Sequence, residues 1–99
     1  MTRRLVIRQQ ADREIREASA WYDEQRAGLG AEFERAVDIV FQNLREFPEA
    51  YPTIFGPARR VVMIRFPYMI FYRLRRDGVI SIIGCIHSHR TPDYWKRRV

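Results

Sequence analysis

The apolar residues of this chain change their period part-way along it, and that change limits the fold more than any other feature of the sequence. Ala11, Ile15, Ala18 and Tyr22 recur at i, i+4, i+7 and i+11, which is one face of a helix. Asp12, Glu14 and Glu17 fall in the first turns of that stretch, where the helix dipole favours acids. Gly28-Leu29-Gly30 interrupts the pattern. Phe33, Val37, Val40, Leu44 and Phe47 then form a second stripe at the same spacing. Pro48 ends it, because the residue before a proline is pushed out of helical space. Two such stripes joined by a short glycine-bearing loop predict a helical hairpin.

Beyond residue 60 the helical spacing is gone. Residues 48–58 hold Pro48, Pro52, Gly56 and Pro57 and read as a loop. Val61-Val62-Met63-Ile64 reads as a strand, Phe66-Pro67 as an interruption, and Tyr68 to Leu74 as the next strand. Asp77-Gly78 signals a two-residue hairpin turn, both of whose central positions want positive φ. Val79 to Ile86 is apolar at nearly every position, as expected of a central strand covered on both faces. Leu5-Val6-Ile7 supplies a short N-terminal strand, and Thr91-Pro92-Asp93 opens a last helical turn. The order strand, helix, helix, strand, strand, strand predicts an α+β fold. Its two layers are the helical hairpin and a small antiparallel sheet, in one domain over residues 1–99.

Charge narrows the choice of partners. The net charge is +6. Residues 1–50 carry eight arginines against ten acids, whereas residues 51–99 carry ten basic residues against only Asp77 and Asp93. This asymmetry points the C-terminal half towards something anionic, whether nucleic acid, a phosphate-rich particle or an acidic protein. The expectation is that arginines from the last two-fifths of the chain gather on the side of the sheet away from the helices. All basic residues but Lys96 are arginine, whose planar fork suits phosphate and carboxylate. A high-G+C genome would produce the same preference but not the clustering.

Cys85 is the only cysteine, so no internal disulfide is possible, and a reducing compartment, the cytoplasm, is expected. No apolar run is long enough for a signal-peptide core or a membrane span. Cys85, His87 and His89 alternate, which on an unbroken strand would place all three on one face. Thiolate and imidazole suit zinc, but no fourth ligand stands at recognisable spacing, and Cys85 is better explained as core. No metal and no cofactor are expected.

Several stretches, in order, resemble the RelE/ParE toxin superfamily. Phe66-Pro67-Tyr68-Met69-Ile70-Phe71-Tyr72 is similar to the Phe-Pro-Tyr-x-Ile-x-Tyr strand of ParE-like plasmid stabilisation proteins. His87 to Trp95 resembles their His-x-x-Arg-x-Pro-x-x-Trp ending. Trp21-Tyr22-Asp23 resembles part of their first helix, and Phe47-Pro48 with Tyr51-Pro52 their proline-rich link. The resemblance implies a growth-inhibiting toxin of a type II toxin–antitoxin system, neutralised by a cognate antitoxin. It leaves two mechanisms open: ParE-type members inhibit DNA gyrase, and RelE-type members cleave mRNA on the ribosome without metal.

A metal-free ribonuclease needs a base, an acid and a cation at the phosphate. In the ribosome-dependent nucleases one such Arg usually lies three residues before a Tyr on the strand matching Tyr72. Here that position is Met69, whose thioether cannot neutralise a phosphate. Arg65, Arg73, His87, His89 and Arg90 are the remaining catalytic candidates. The leading expectation is a ParE-like inhibitor contacting its target through Arg65, Arg73, His89, Arg90 and Tyr94. A third reading is a small nucleic-acid-binding module without toxicity. Tyr72 is expected in the core and Trp95 as a lid on the sheet.

Overall fold

A computed structural model describes residues 3–90 and 93–99. Strand β1 (Leu5–Ile7) leads into helix α1 (Gln9–Gln25) and helix α2 (Leu29–Glu46). Four strands follow, β2 (Thr53–Phe55), β3 (Ala58–Val62), β4 (Tyr68–Leu74) and β5 (Ile80–His87), and then a one-turn helix α3 (Asp93–Lys96). The strands form one sheet in the order β1-β5-β4-β3-β2.

The helical hairpin packs as its spacing demands. Ala11, Ile15, Ala18 and Tyr22 of α1 and Phe33, Val37 and Leu44 of α2 are buried, joined by Phe41. Gly28 carries the chain between the helices at φ 89°, a left-handed conformation that favours glycine. Gly30 has a different role. It lies inside α2, and a Cβ there would collide with the Ser19 carbonyl of α1, so its missing side chain lets the helices approach. The Asp23 carboxylate accepts the Gly30 N–H at 2.8 Å and satisfies one of the unpaired donors at the start of α2. Phe47 departs from expectation. The helix stops at Glu46, and Phe47 turns out into solvent.

Three further expectations are corrected. The sheet is mixed, because β1 runs parallel to β5 (Leu5↔Ile80, Ile7↔Ile82), while the other pairings are antiparallel. The segment read as loop contains β2 and the start of β3, and Ile64 lies beyond the strand expected to contain it. The β4–β5 turn is also longer than two residues. The Arg75 N–H bonds to the Val79 carbonyl and only Gly78 has positive φ, so the loop is Arg76-Asp77-Gly78.

The sheet divides two cores. Towards the helices lie Val61, Met63, Phe66, Ile70, Tyr72, Ile80, Ile82 and Cys85. Tyr22, Phe33, Phe66 and Tyr68 meet there at ring separations of 5.0 to 6.2 Å, which fastens the β3–β4 corner to the helices. Tyr72 is fully buried and its hydroxyl donates to the Pro48 carbonyl at 2.7 Å, holding the proline-rich link. On the outer face lie Ala58, Phe71, Ile83, Ile86 and Trp95. The Trp95 ring stacks on Phe71 at 4.2 Å, so it is the lid the sequence suggested. A shift in register opposite Phe71 and Tyr72 offsets the alternation, so that Ile82 and Cys85, three apart, both face the helices while Ile83 and Ile86 face outward, and β5 is buried from Ile80 through Ile86.

The arginines do not gather on the outer face. Alternation along β3 and β4 puts Arg60 and Arg73 there. Arg59 points the other way and donates to the Tyr51 carbonyl. Arg65, Arg75 and Arg76 occupy turns. Apolar tail side chains cover much of the space where a cationic surface was expected.

Candidate functional site at the carboxyl end of β5

The residues singled out by sequence fall into two places. Tyr68 opens β4 and pairs in register with His87 at the end of β5, so both stand at the same end of the sheet. Their rings meet edge to face at 5.2 Å. His89 follows in the turn, its ring 4.9 Å from that of His87 and its N–H donated to His87 Nδ1 at 3.1 Å. In that bond His87 Nδ1 is the acceptor, which corresponds to the tautomer with its proton on Nε2. The Arg90 guanidinium lies 4.8 Å from the Tyr94 ring centre. Arg98 lies on the same ring at 5.3 Å, so Tyr94 is held by two cations.

Tyr68, His87, Arg90 and Tyr94 border a cleft of about 210 Å³ whose other wall is α1, through Glu14, Glu17, Ala18 and Trp21. Cys85 forms part of its floor. Burial, and then the charge of Glu14, push the Cys85 thiol up to about 12, so it stays protonated and is neither nucleophile nor thiolate ligand. Burial also raises the Tyr68 phenol above its ordinary value, with Tyr22 and Cys85 adding to the effect and Arg90 opposing it. The cleft therefore presents a neutral phenol, an imidazole, a guanidinium and an exposed indole.

Arg65 and Arg73 lie elsewhere. Arg65, in the β3–β4 corner, donates to Glu32 at 2.6 Å and rests over the Phe66 ring. That hydrogen bond is the main cause holding the Glu32 carboxyl below its ordinary value. Arg73 pairs in register with Ala58 and Ser81 towards the opposite end of β4. It stands five positions from Tyr68, roughly 17 Å along a strand. Its Nε is buried and has no hydrogen-bond partner among the described residues. Among the described residues no group of acids, histidines and cysteine is placed to hold a metal ion.

Two functional-looking groups escaped the sequence reading. Glu14 and Arg98 form a two-armed ion pair at 2.8 and 2.9 Å, both largely buried. Glu14 stands four residues before buried Ala18, a spacing that already placed it towards the core face of its helix. The second is an apolar groove of about 380 Å³ between α2 and the β3–β4 corner, lined by Ile39, Val40, Val62, Met63 and Ile64. Ile39 stands outside the buried α2 stripe, the one sign of it in the sequence.

Compared with known protein families, residues 5–92 match the sequence model of the ParE toxin of the type II toxin–antitoxin system parDE. That span runs from β1 past the end of β5. The chain belongs to the ParE toxin family. A solved structure similar to this ParE-family chain is that of a chromosomal ParDE toxin–antitoxin system from P. aeruginosa, with a TM-score of 0.64. The match covers 87% of this chain and 96% of that one at 13% identity, so it speaks for the fold alone. No curated protein matches the chain by sequence. The RelE/ParE fold read from the sequence is thus the fold of this ParE-family chain. In addition, no helix among the described residues is long and apolar enough to cross a membrane.

Proposed function

We propose that this toxin-family chain stops growth by binding a protein target, DNA gyrase, and that a cognate antitoxin neutralises it in the cytoplasm. The observation that carries this reading is the dispersal of the cations a ribonuclease would use. Met69 stands where a nuclease Arg is expected, and it packs with Ile86 and Trp95 in the outer core. Arg73 is at the other end of β4, and Arg65 is engaged by Glu32. A phosphate in flight would have only Arg90 beside the histidines. The same surface suits recognition of a protein, for which His89, Arg90 and Tyr94 offer an exposed aromatic and cationic patch at one end of the sheet.

The antitoxin reading draws support from the groove beside α2. Ile64 is fully exposed, and Ile39 and Val62 are each more than half exposed. Apolar side chains clustered in this way mark a surface that a partner covers.

Purified chain added to gyrase and relaxed plasmid is expected to block supercoiling, and an Arg90→Ala/Tyr94→Ala variant to block it at least about tenfold less well. Normal supercoiling at high toxin concentration would remove the gyrase reading. A second reading, a ribosome-dependent mRNA endoribonuclease, is favoured by one observation: Tyr68, His87 and Arg90 share the cleft, with the His89 ring 4.9 Å from that of His87. Cut mRNA in a translating extract, lost in His87→Gln, would establish it instead.

A further inference from the structure

Strand β5 is only partly covered along its outer edge. β1 pairs with Ile80 to Ile82 and ends, while β5 runs on to His87. From Ile83 onward no strand lies beside that edge among the described residues. Unpaired edges invite pairing with another chain unless something occupies them. Here two side chains do so. Glu14 Oε1 accepts the Cys85 N–H at 3.1 Å, and Arg98 Nη1 donates to the Ile83 carbonyl at 3.3 Å. One acceptor and one donor are what the backbone of a neighbouring strand would present. The two side chains are also paired with each other, and Gly84 makes room for them. A Cβ at Gly84 would lie 2.8 Å from the Arg98 guanidinium.

The edge is open on both sides of this bridge. The cleft at Cys85, Ile86 and His87 lies on one side and has Glu14 in its wall. A second hollow of about 420 Å³ lies on the other, beside Ile83, and has Arg8, Arg97 and Arg98 in its wall. Tyr94 lines both hollows, and the Glu14–Arg98 bridge contributes one residue to each. Arg8, Arg90 and Arg97 line the two hollows against Glu17, while Glu14 and Arg98 engage each other.

We propose that the outer edge of β5 beyond Ile82 is a strand-addition site for an extended peptide segment carrying carboxylates. The segment's backbone replaces the Glu14–Arg98 bridge as the neighbour of Ile83 to His87, and its carboxylates meet Arg8, Arg90 and Arg97. The proposal rests on the antitoxin reading only for the natural source of such a segment.

The test uses the intact ¹⁵N-labelled chain and a capped pentapeptide alternating valine and glutamate, with the lysine-for-glutamate peptide as control. The glutamate peptide is expected to shift the backbone amide signals of Ile83 to His87. Arg98→Ala is expected to lower its half-saturation concentration about tenfold, because the competent edge no longer competes with an internal occupant. Gly84→Ala, whose methyl pushes the guanidinium aside, acts in the same direction and serves if Arg98→Ala fails to fold. The proposal is overturned if no amide from Ile83 to His87 shifts in any of these chains. It is also overturned if the shifts are confined to Thr53–Phe55 at the other edge, or if the lysine peptide binds equally well. Because the probe is not the antitoxin, those results would remove the docking site and leave the supercoiling assay to judge the proposed function.

Discussion

The two faces of the sheet are both dry, yet they are covered by very different lengths of chain. The inner face lies under helices of 17 and 18 residues, whose buried stripes are continuous with the strands beneath. The outer face lies under Asp93 to Val99, in which Trp95 does most of the covering with help from Val99. The inner cover is inseparable from the fold, because Phe33 and Tyr22 also hold the β3–β4 corner. The outer cover is local, and its attachments are the Trp95–Phe71 stack, the contacts of Trp95 and Lys96 with Phe55, the bonds from Arg98 to Glu14 and to the Ile83 carbonyl, and the bond from Arg8 to the Arg98 carbonyl. Segments with so few attachments open at lower free energy than the global unfolding of the domain.

The comparison can be broken most directly from the inner side. Phe33→Ala removes a fully buried ring from the aromatic cluster and is expected to cost about 3–5 kcal/mol, measured by urea denaturation. Loss of amide protection should then spread through α1, α2 and the sheet together. Trp95→Ala should cost less, about 2 kcal/mol, because a terminal segment can give way without the rest. Its signature is local: faster amide exchange along β4 and β5 and new binding of a hydrophobic dye, with the helices still protected. Global unfolding in that variant would erase the distinction between the faces.

The thiol sharpens the contrast. Cys85 is on the inner face, and its ionisation is pushed up from 9.0 to about 12. The folded-state value lies above the unfolded one, so the contribution is intact below pH 9. It falls as pH rises towards 12, because the unfolded chain releases the proton more readily. Iodoacetamide at pH 8 should therefore modify Cys85 only through opening of the inner face, and Trp95→Ala should change that rate little. The smallest effect is expected at the surface. Arg65→Met removes the main cause of the low Glu32 ionisation, so the Glu32 carboxyl should titrate nearer its ordinary value by NMR. Stability should change little, since ion pairs near the surface contribute little.

The division between inner and outer cover was half legible in the sequence. The helical stripe from Ala11 to Tyr22 and the apolar run to Ile86 made two layers unavoidable, and Trp95 stood out as a lid. The facing of Arg59 and Arg60 did not follow, because alternation fixes which neighbours differ but not which of them turns inward. Phe47 kept the α2 spacing and still fell outside the helix, since Pro48 ends the helix before that residue can use its face. The candidate site was legible as types rather than as a place. His87, His89, Arg90 and Tyr94 come together because they are close in sequence, whereas Arg65 and Arg73 were grouped with them by charge alone. Glu14 and Arg98 meet across 84 positions, a distance no local pattern encodes.

The parallel pairing of β1 with β5 also sets when the molecule can finish folding. Leu5 leaves the ribosome early, but its partner Ile80 follows only after both helices and three other strands have been made. During synthesis the first strand must wait unpaired, and a helical hairpin formed in the meantime has no β5 to bury its apolar face. The finished surface of such a chain therefore appears only once its last strand has been made and has docked beside its first.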